Sequence, residues 1–156
     1  MPIELRTILF AEDSPKDVEL TLEALAEHNL ANQVIVVKDG VEAMEYLRRE
    51  GNFKLRRPGN PAVLMLDIKM PRMDGIEVLR AIRSDTVLKM LPVVILTSSR
   101  EEQDLIRSYE LGVNAYVVKP VDFKEFLEAV KQIGIFWAII NELPPQGVSS
   151  NGAKSK

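Results

Sequence analysis

Short apolar runs alternate along the chain with longer segments in which apolar residues recur every three or four positions. Four of the five short runs are rich in Val, Ile and Leu with little polar alternation, which is typical of strands buried on both faces. Such strands indicate a parallel sheet in the interior of the molecule. The predicted strands are Thr7–Ala11, Gln33–Val37, Ala62–Asp67, Pro92–Thr97 and Asn114–Val118.

The longer segments have the helical period of about 3.6 residues. The first begins with a capping-box-like pair, Ser14 and Asp17, and with Pro15 at its first position. Strands alternating with helices predict βαβ units, so the fold class is α/β, a doubly wound five-stranded parallel sheet with helices on both faces. The predicted helices are Pro15–Glu27, Val41–Arg49, Gly75–Arg83, Glu101–Leu111 and one that starts at Asp122.

The length of 156 residues suits one domain with its own core. Residues 1–143 are expected to form that domain, including an apolar helical extension after the fifth helix. The segment Gly51–Pro61 is predicted to be a long polar loop, and residues 144–156 a disordered tail. Ligands of doubly wound sheets bind outside the carboxyl ends of the strands, so the chemistry is expected there.

Composition excludes several classes of protein. A net charge of −3 offers no electrostatic reason for nucleic-acid binding. The absence of cysteine excludes disulfides and thiolate metal sites, and it fits a reducing compartment. No signal segment opens the chain and no apolar run is long enough to span a bilayer, so a cytoplasmic protein without membrane contact is expected.

Acidic residues follow the predicted strands at one edge of the sheet. Glu12 and Asp13 follow the first strand, Asp67 ends the third, Thr97 ends the fourth and Lys119 follows the fifth. Each alone has an ordinary interpretation as a helix cap, a turn former or a strand end. Together they predict that three carboxylates, one hydroxyl and one ammonium group converge.

Crowded carboxylates repel each other, by roughly 3 kcal/mol for a pair at about 5 Å and an effective dielectric constant near 20. A divalent cation would relieve this repulsion, and a set of oxygen ligands without histidine or cysteine favours Mg²⁺. A carboxylate beside Mg²⁺ can act as a nucleophile toward phosphorus. Lys119 and Thr97 could then bind the phosphoryl oxygens.

With these residues the sequence resembles the receiver domain of two-component response regulators. The resemblance extends from about Thr7 to Ile133 and implies the flavodoxin-like (βα)₅ sandwich with strand order 2-1-3-4-5. The matching residues are Glu12-Asp13, Asp67 with Met70-Pro71-x-x-Asp74-Gly75, Thr97, and Tyr116-Val117-Val118-Lys119-Pro120.

The resemblance implies that Asp67 accepts a phosphoryl group from a histidine kinase. Asp13, the Asp67 carboxylate and the Lys69 backbone carbonyl would bind Mg²⁺ directly, and Glu12 would reach the metal through water. In this interpretation the protein is not an enzyme, except that it assists its own phosphorylation and dephosphorylation. The Lys69 side chain would either screen the phosphoryl group from water, which predicts a long-lived phosphoryl state, or be an ordinary surface lysine.

The resemblance also implies a conformational switch. The Thr97 hydroxyl would move toward the phosphoryl group while the Tyr116 ring turns inward. Lys119 would contact the phosphoryl oxygens, and the peptide before Pro120 is cis in the family. The surface of the fourth helix, fifth strand and fifth helix would change most.

The run from Ile133 to Ile140 is apolar on every face. It is expected either to fold over its own core or to pair with another subunit, and we favour a homodimer that uses Phe136, Trp137 and Ile140. No output domain follows the fifth helix, so a single-domain regulator is expected. The extension and the long loop are similar to small response regulators that partner bacterial and cyanobacterial phytochromes, so the kinase would be a bacteriophytochrome.

Three other functions are compared with the same residues below. A receiver-like module that works without phosphorylation has no need for the full acidic set, Thr97 and Lys119. A phosphohydrolase with an aspartate nucleophile would carry a second acid two residues later, where this chain has Lys69. A nucleotide-binding flavodoxin-like protein would carry a glycine-rich loop after the first strand, where Glu12 and Asp13 would repel phosphate.

Overall fold

The computed structural model describes residues 3–30, 33–135 and 139. Within them, strands and helices alternate along the chain. The strands are β1 (Ile3–Ala11), β2 (Val34–Val37), β3 (Asn60–Asp67), β4 (Val93–Thr97) and β5 (Ala115–Val118). The helices are α1 (Pro15–Ala26), α2 (Gly40–Arg48), α3 (Gly75–Arg83), α4 (Arg100–Arg107) and α5 (Phe123–Ile133), with a short 3₁₀ turn at Gly51–Phe53.

All strand pairs in the sheet are parallel, and their order is β2-β1-β3-β4-β5. The predicted fold class and strand order are therefore confirmed. The register aligns Ala11 of β1 with Leu66 of β3, and Asp67 of β3 with Leu96 of β4. The carboxyl ends of the three central strands consequently lie side by side.

Two apolar cores cover the two faces of the sheet. Successive strand residues point to opposite faces, so Leu9 packs in one core with residues of α2 and α3, while Phe10 packs in the other with Leu25 and Phe126. The strands β3 and β4 are buried on both faces, as their composition predicts. The edge strands β2 and β5 are less buried: the two central residues of β2 and Val118 of β5 are exposed.

Two strands begin earlier than predicted. Strand β1 begins at Ile3 rather than Thr7, and β3 begins at Asn60 rather than Ala62. The two additions pair with each other, since Ile3 lies opposite Asn60. The pattern missed them because polar residues interrupt the apolar run there, whereas pairing is set by the neighbouring backbone. The predicted loop Gly51–Pro61 therefore contains the 3₁₀ turn and ends at the start of β3.

Helix α4 ends at Arg107, four residues before the predicted Leu111. The Ser108 hydroxyl donates to the Leu105 carbonyl at 2.5 Å, and Glu110 and Gly112 have left-handed φ values of 53° and 69°. Left-handed residues cannot continue a right-handed helix, so the apolar period extends past the point where the backbone turns.

The apolar run after α5 is described only in part. Ile139 is completely buried in the α1 and α5 core, and its N–H donates to the Ile135 carbonyl at 3.2 Å. This residue therefore folds over its own subunit. The proposed contact residues Phe136, Trp137 and Ile140 lie outside the described residues, as does the predicted tail 144–156. Among the described helices, none has the length and apolar character needed to cross a bilayer.

Candidate functional site

The acidic residues of β1 and β3 lie together at the carboxyl edge of the sheet. Glu12, Asp13 and Asp67 each offer one carboxylate oxygen, and these oxygens lie within 4.8 Å of one another. Glu12 and Asp67 are only 2% and 5% exposed, whereas Asp13 faces solvent. A group of oxygen donors with one open side fits a hard divalent cation.

The Lys119 side chain contacts two members of this group and the nearby Asp17. Lys119 Nζ lies 2.9 Å from Asp67 Oδ1, 3.1 Å from Asp17 Oδ2 and 3.3 Å from Glu12 Oε1. Its backbone N–H donates to the Thr97 carbonyl at 2.8 Å, which ties β5 to the end of β4. The Lys119–Pro120 peptide is cis, as the resemblance implies.

The charges in this group are not balanced by one ammonium. Burial and the nearby Asp67 charge raise the pKa of Glu12 to about 7, although the Ser14 N–H and Lys119 partly oppose the shift. Burial also raises the pKa of Asp67 against the opposing effect of Lys119. Burial lowers the pKa of Lys119, but its hydrogen bonds to Asp67 and Asp17 outweigh this and raise it. The group would therefore gain from another cation.

The Thr97 hydroxyl is buried and unsatisfied. Thr97 has no exposed surface, and its Oγ1 is one of two buried side-chain polar atoms without a hydrogen-bond partner in the described part of the chain. An unpaired buried hydroxyl is costly. Because Thr97 ends β4 beside Asp67 of β3, its hydroxyl is available to a ligand at the same edge.

Tyr116 lies one strand further along, on the edge strand β5, and pairs with Ile95. Its side chain is half-buried, and the guanidinium of Arg107 in α4 lies 4.8 Å from the centre of its ring. A cation over the face of an aromatic ring is an attractive contact. The ring is thus held by α4, and it makes one of the links between α4 and the sheet.

The connection between β3 and α3 is held rigidly. The Gly75 N–H donates to the Ile68 carbonyl at 2.8 Å, and Asp74 forms a capping box with Glu77. A Cβ atom at Gly75 would overlap the Asp67 carbonyl oxygen, so only glycine permits this close approach. The Lys69 side chain is exposed on this connection.

Asp17 is a residue of the site that sequence reasoning missed. The Ser14 hydroxyl accepts from the Asp17 N–H at 3.2 Å, which confirms Ser14 as the helix cap. The carboxylate of Asp17 does not complete a capping box and instead contacts Lys119. The available signal was the position of Asp17 in the first turn of α1, which begins directly after the acidic end of β1.

A second missed group is the pair of Asp39 and Arg72. The buried Asp39 carboxylate caps α2 by accepting from the Glu42 N–H at 2.8 Å, and it accepts from Arg72 Nε at 2.9 Å and Nη2 at 3.1 Å. Next to it, the Gly40 N–H donates to the Met73 carbonyl at 3.0 Å. This group fastens the connection after β3 to the start of α2.

Comparisons with known proteins agree with this geometry. The family model of the response regulator receiver domain matches residues 8–131. Response regulator Rcp1 of Synechocystis sp. (strain ATCC 27184 / PCC 6803 / Kazusa) is 37% identical over 139 residues, 89% of this chain and 93% of the relative. The structure of bacteriophytochrome response regulator RtBRR has a TM-score of 0.82 at 58% identity, covering 92% of this chain and 86% of that one. The Mn²⁺-bound form of Rcp1 has a TM-score of 0.67 at 38% identity, covering 90% of this chain and 99% of that one.

Proposed function

The chain belongs to the response regulator receiver family, and from this premise we propose that it is a single-domain, cytoplasmic response regulator phosphorylated on Asp67. The observation that carries the proposal is the position of Asp67, a buried carboxylate grouped with Glu12 and Asp13 and contacted by Lys119. A structural acid would not need two further carboxylates beside it. The proposed donor is the phosphohistidine of a sensor kinase.

The residues present fit a divalent cation, for which we propose Mg²⁺. Asp13, Asp67 and the Lys69 carbonyl would bind it directly, and Glu12 through water. When bound, the cation supplies charge neutralisation between the carboxylates and the phosphoryl oxygens. The raised pKa of Glu12, to about 7, is consistent with a site that gains stability from a further positive charge.

The chemical step belongs to the side chains of this chain. An Asp67 oxygen forms a bond to phosphorus while the nitrogen–phosphorus bond of the phosphohistidine breaks, and the electron pair returns to the imidazole. The Lys119 ammonium would bind a phosphoryl oxygen as a point charge. The buried Thr97 hydroxyl, which lacks a partner, would donate a hydrogen bond to another phosphoryl oxygen.

The proposed output is a population shift between two conformations. Once Thr97 binds the phosphoryl group, the Tyr116 ring would exchange its contact with Arg107 for an inward position. Moving such an equilibrium from about 1:99 to about 99:1 requires a differential interaction of about 5.5 kcal/mol, which a group carrying about two negative charges beside a metal can supply.

The proposed kinase is a bacteriophytochrome. The support is the similarity to RtBRR, whose name states that it is a bacteriophytochrome response regulator. In this proposal a light-sensing kinase transfers its phosphoryl group to Asp67. Mixing the autophosphorylated sensor kinase with the parent protein, under red and far-red light, would measure the transfer directly.

We extend the proposal to a homodimer that forms through α4, β5 and α5, with Phe136, Trp137 and Ile140 as further contacts. Two apolar side chains of these elements, Leu105 of α4 and Val118 of β5, are exposed, and β5 is an edge strand of the sheet. Sedimentation with and without phosphorylation is expected to show a dimer at tens of micromolar. A monomer under both conditions would exclude it.

The experiment that tests the proposed function is phosphoryl uptake from phosphoramidate in the presence of Mg²⁺, measured by intact-protein mass spectrometry. The parent is expected to gain one phosphoryl group, chelator to abolish the gain, and Asp67→Asn to show none. Asp74→Asn is the matched control, because Asp74 is a helix cap outside the acidic group and asparagine still caps a helix. This control is expected to be phosphorylated like the parent.

No gain in the parent, with the fold intact by circular dichroism, would contradict phosphorylation on Asp67. That result would favour a receiver-like interaction module, and the surface of α4, β5 and α5 would become the principal site.

A further inference from the structure

Lys119 uses all three of its donors on carboxylates, and one of the three partners differs from the others. Glu12 and Asp67 belong to the group of oxygens that could hold a cation, whereas Asp17 does not. The Glu12 and Asp67 side chains are nearly inaccessible, at 1% and 8%, but that of Asp17 is 35% exposed on the first turn of α1. Asp17 thus holds the ammonium from the solvent side.

A divalent cation and Lys119 would compete for the same oxygens. An ammonium has three donors and no acceptor, and it is repelled by a second cation placed among its partners. If the cation takes Glu12 and Asp67, Asp17 is the contact of Lys119 that remains. Because Asp17 is partly exposed, the ion pair of Asp17 and Lys119 has space to lie slightly closer to solvent.

We propose that Asp17 is a positioning residue, which retains the Lys119 ammonium at the mouth of the site while a divalent cation occupies the acidic group. The inference deepens the proposed function and rests on it. Lys119 would thus stay within reach of an incoming phosphoryl group without blocking the cation.

A purely structural interpretation of Asp17 makes a different prediction. An acid in the first turn of a helix is stabilising through the helix dipole alone. In that case removing its charge changes stability, but the change does not depend on Lys119. Coupling between positions 17 and 119 therefore distinguishes the two interpretations.

The test is calorimetric titration of the unphosphorylated protein with Mg²⁺. Asp17→Asn is expected to weaken Mg²⁺ binding by about tenfold, a size typical of residues in one ion-pair network, because Lys119 then has only the metal-binding carboxylates as partners. Glu19→Gln is the matched control, since Glu19 is an exposed acid on the same helix and its loss changes the net charge equally. Asp17→Glu is expected to restore most of the affinity.

The same substitution is then made in a Lys119→Met background. There Asp17→Asn is expected to change Mg²⁺ affinity by about twofold, as a distant charge would. Equal effects in both backgrounds, or equal effects of Asp17→Asn and Glu19→Gln in the parent, would overturn the inference. Thermal unfolding in chelator checks that each variant is folded.

Phosphoryl uptake by the parent separates this inference from the proposed function. Uptake by the parent together with additive effects at positions 17 and 119 contradicts only the role of Asp17. Mg²⁺ binding and coupling without uptake contradict only the phosphorylation of Asp67. A parent that does not bind Mg²⁺ overturns both.

Discussion

Two buried carboxylates, Asp39 and Glu12, are almost equally inaccessible, at 3% and 2% exposure, yet their pKa values shift in opposite directions. The pKa of Asp39 is lowered and that of Glu12 is raised to about 7. Burial opposes ionisation of both residues. The direction of each pKa shift is therefore set by how far the groups around the carboxylate offset burial.

Asp39 has donors of its own. Burial raises its pKa, but the two hydrogen bonds from Arg72, the Glu42 N–H and the Arg72 charge together outweigh burial. Nothing is left for a ligand to supply, so Asp39 has the properties of a structural acid that fastens the connection after β3.

Glu12 shares its only cationic partner among the described residues, Lys119, with Asp67 and Asp17. Three carboxylates for one ammonium leave negative charge uncompensated, which a ligand cation would complete. The comparison teaches that a buried carboxylate with enough donors of its own behaves as a structural acid, whereas one that shares its cationic partner is suited to a cation.

The largest expected effect is on the stability of the fold and comes from Asp39. Asp39→Ala removes a helix cap and a bidentate charged contact, and it is expected to lower the free energy of unfolding by about 3 kcal/mol. Asp122→Ala is the matched control: Asp122 caps α5 through the Glu125 N–H and should cost about 1 kcal/mol. Urea unfolding at neutral pH measures both. Equal losses would show that the Arg72 contact adds nothing.

The second effect concerns pH. Because the folded pKa of Glu12, about 7, exceeds its ordinary value of 4.5, the folded state retains a proton that the unfolded state has lost between these pH values. In chelator, the free energy of unfolding is thus expected to fall by about 1 to 2 kcal/mol as the pH rises from 5 to 8. Urea unfolding across this range is expected to show a smaller fall in Glu12→Gln. A free energy that rises with pH would contradict the assignment.

Asp39 should behave in the opposite sense. The pKa of Asp39 is lower in the folded state than in the unfolded state. Its contribution to the free energy of unfolding is therefore fully present above the unfolded pKa, and it is lost as the pH falls through the folded pKa. Between pH 5 and 8 the difference between the parent and Asp39→Ala is therefore expected to stay constant.

The smallest effect is that of Mg²⁺. At tenfold excess over its dissociation constant, the cation should raise the free energy of unfolding by about 1.4 kcal/mol at pH 8, and by less at pH 6, where protons compete for Glu12. Asp39→Ala is expected to retain this gain in thermal unfolding, and Glu12→Gln to lose part of it. A gain that is equal at both pH values would argue against Glu12 as a group linked to the cation.

The fold was predictable because parallel strands buried on both faces have a continuous apolar composition. That pattern identified both ends of β4 to within one residue and the carboxyl end of β3 at Asp67. It failed at Ile3 and Asn60, which pair with each other although neither belongs to an apolar run. It also failed at the end of α4, where the backbone turns at Ser108 while the apolar period continues.

The sequence by itself determined which chemical groups follow the strands. It also determined that they meet, because a parallel topology brings the carboxyl ends of β1, β3 and β5 to one edge of the sheet. Only the tertiary structure decided how these groups are partnered. The contacts of Lys119 with Asp17 and of Arg72 with Asp39 join residues 102 and 33 positions apart. The pKa of a carboxylate depends on every charge and donor within a few ångströms, and those neighbours come from several elements at once.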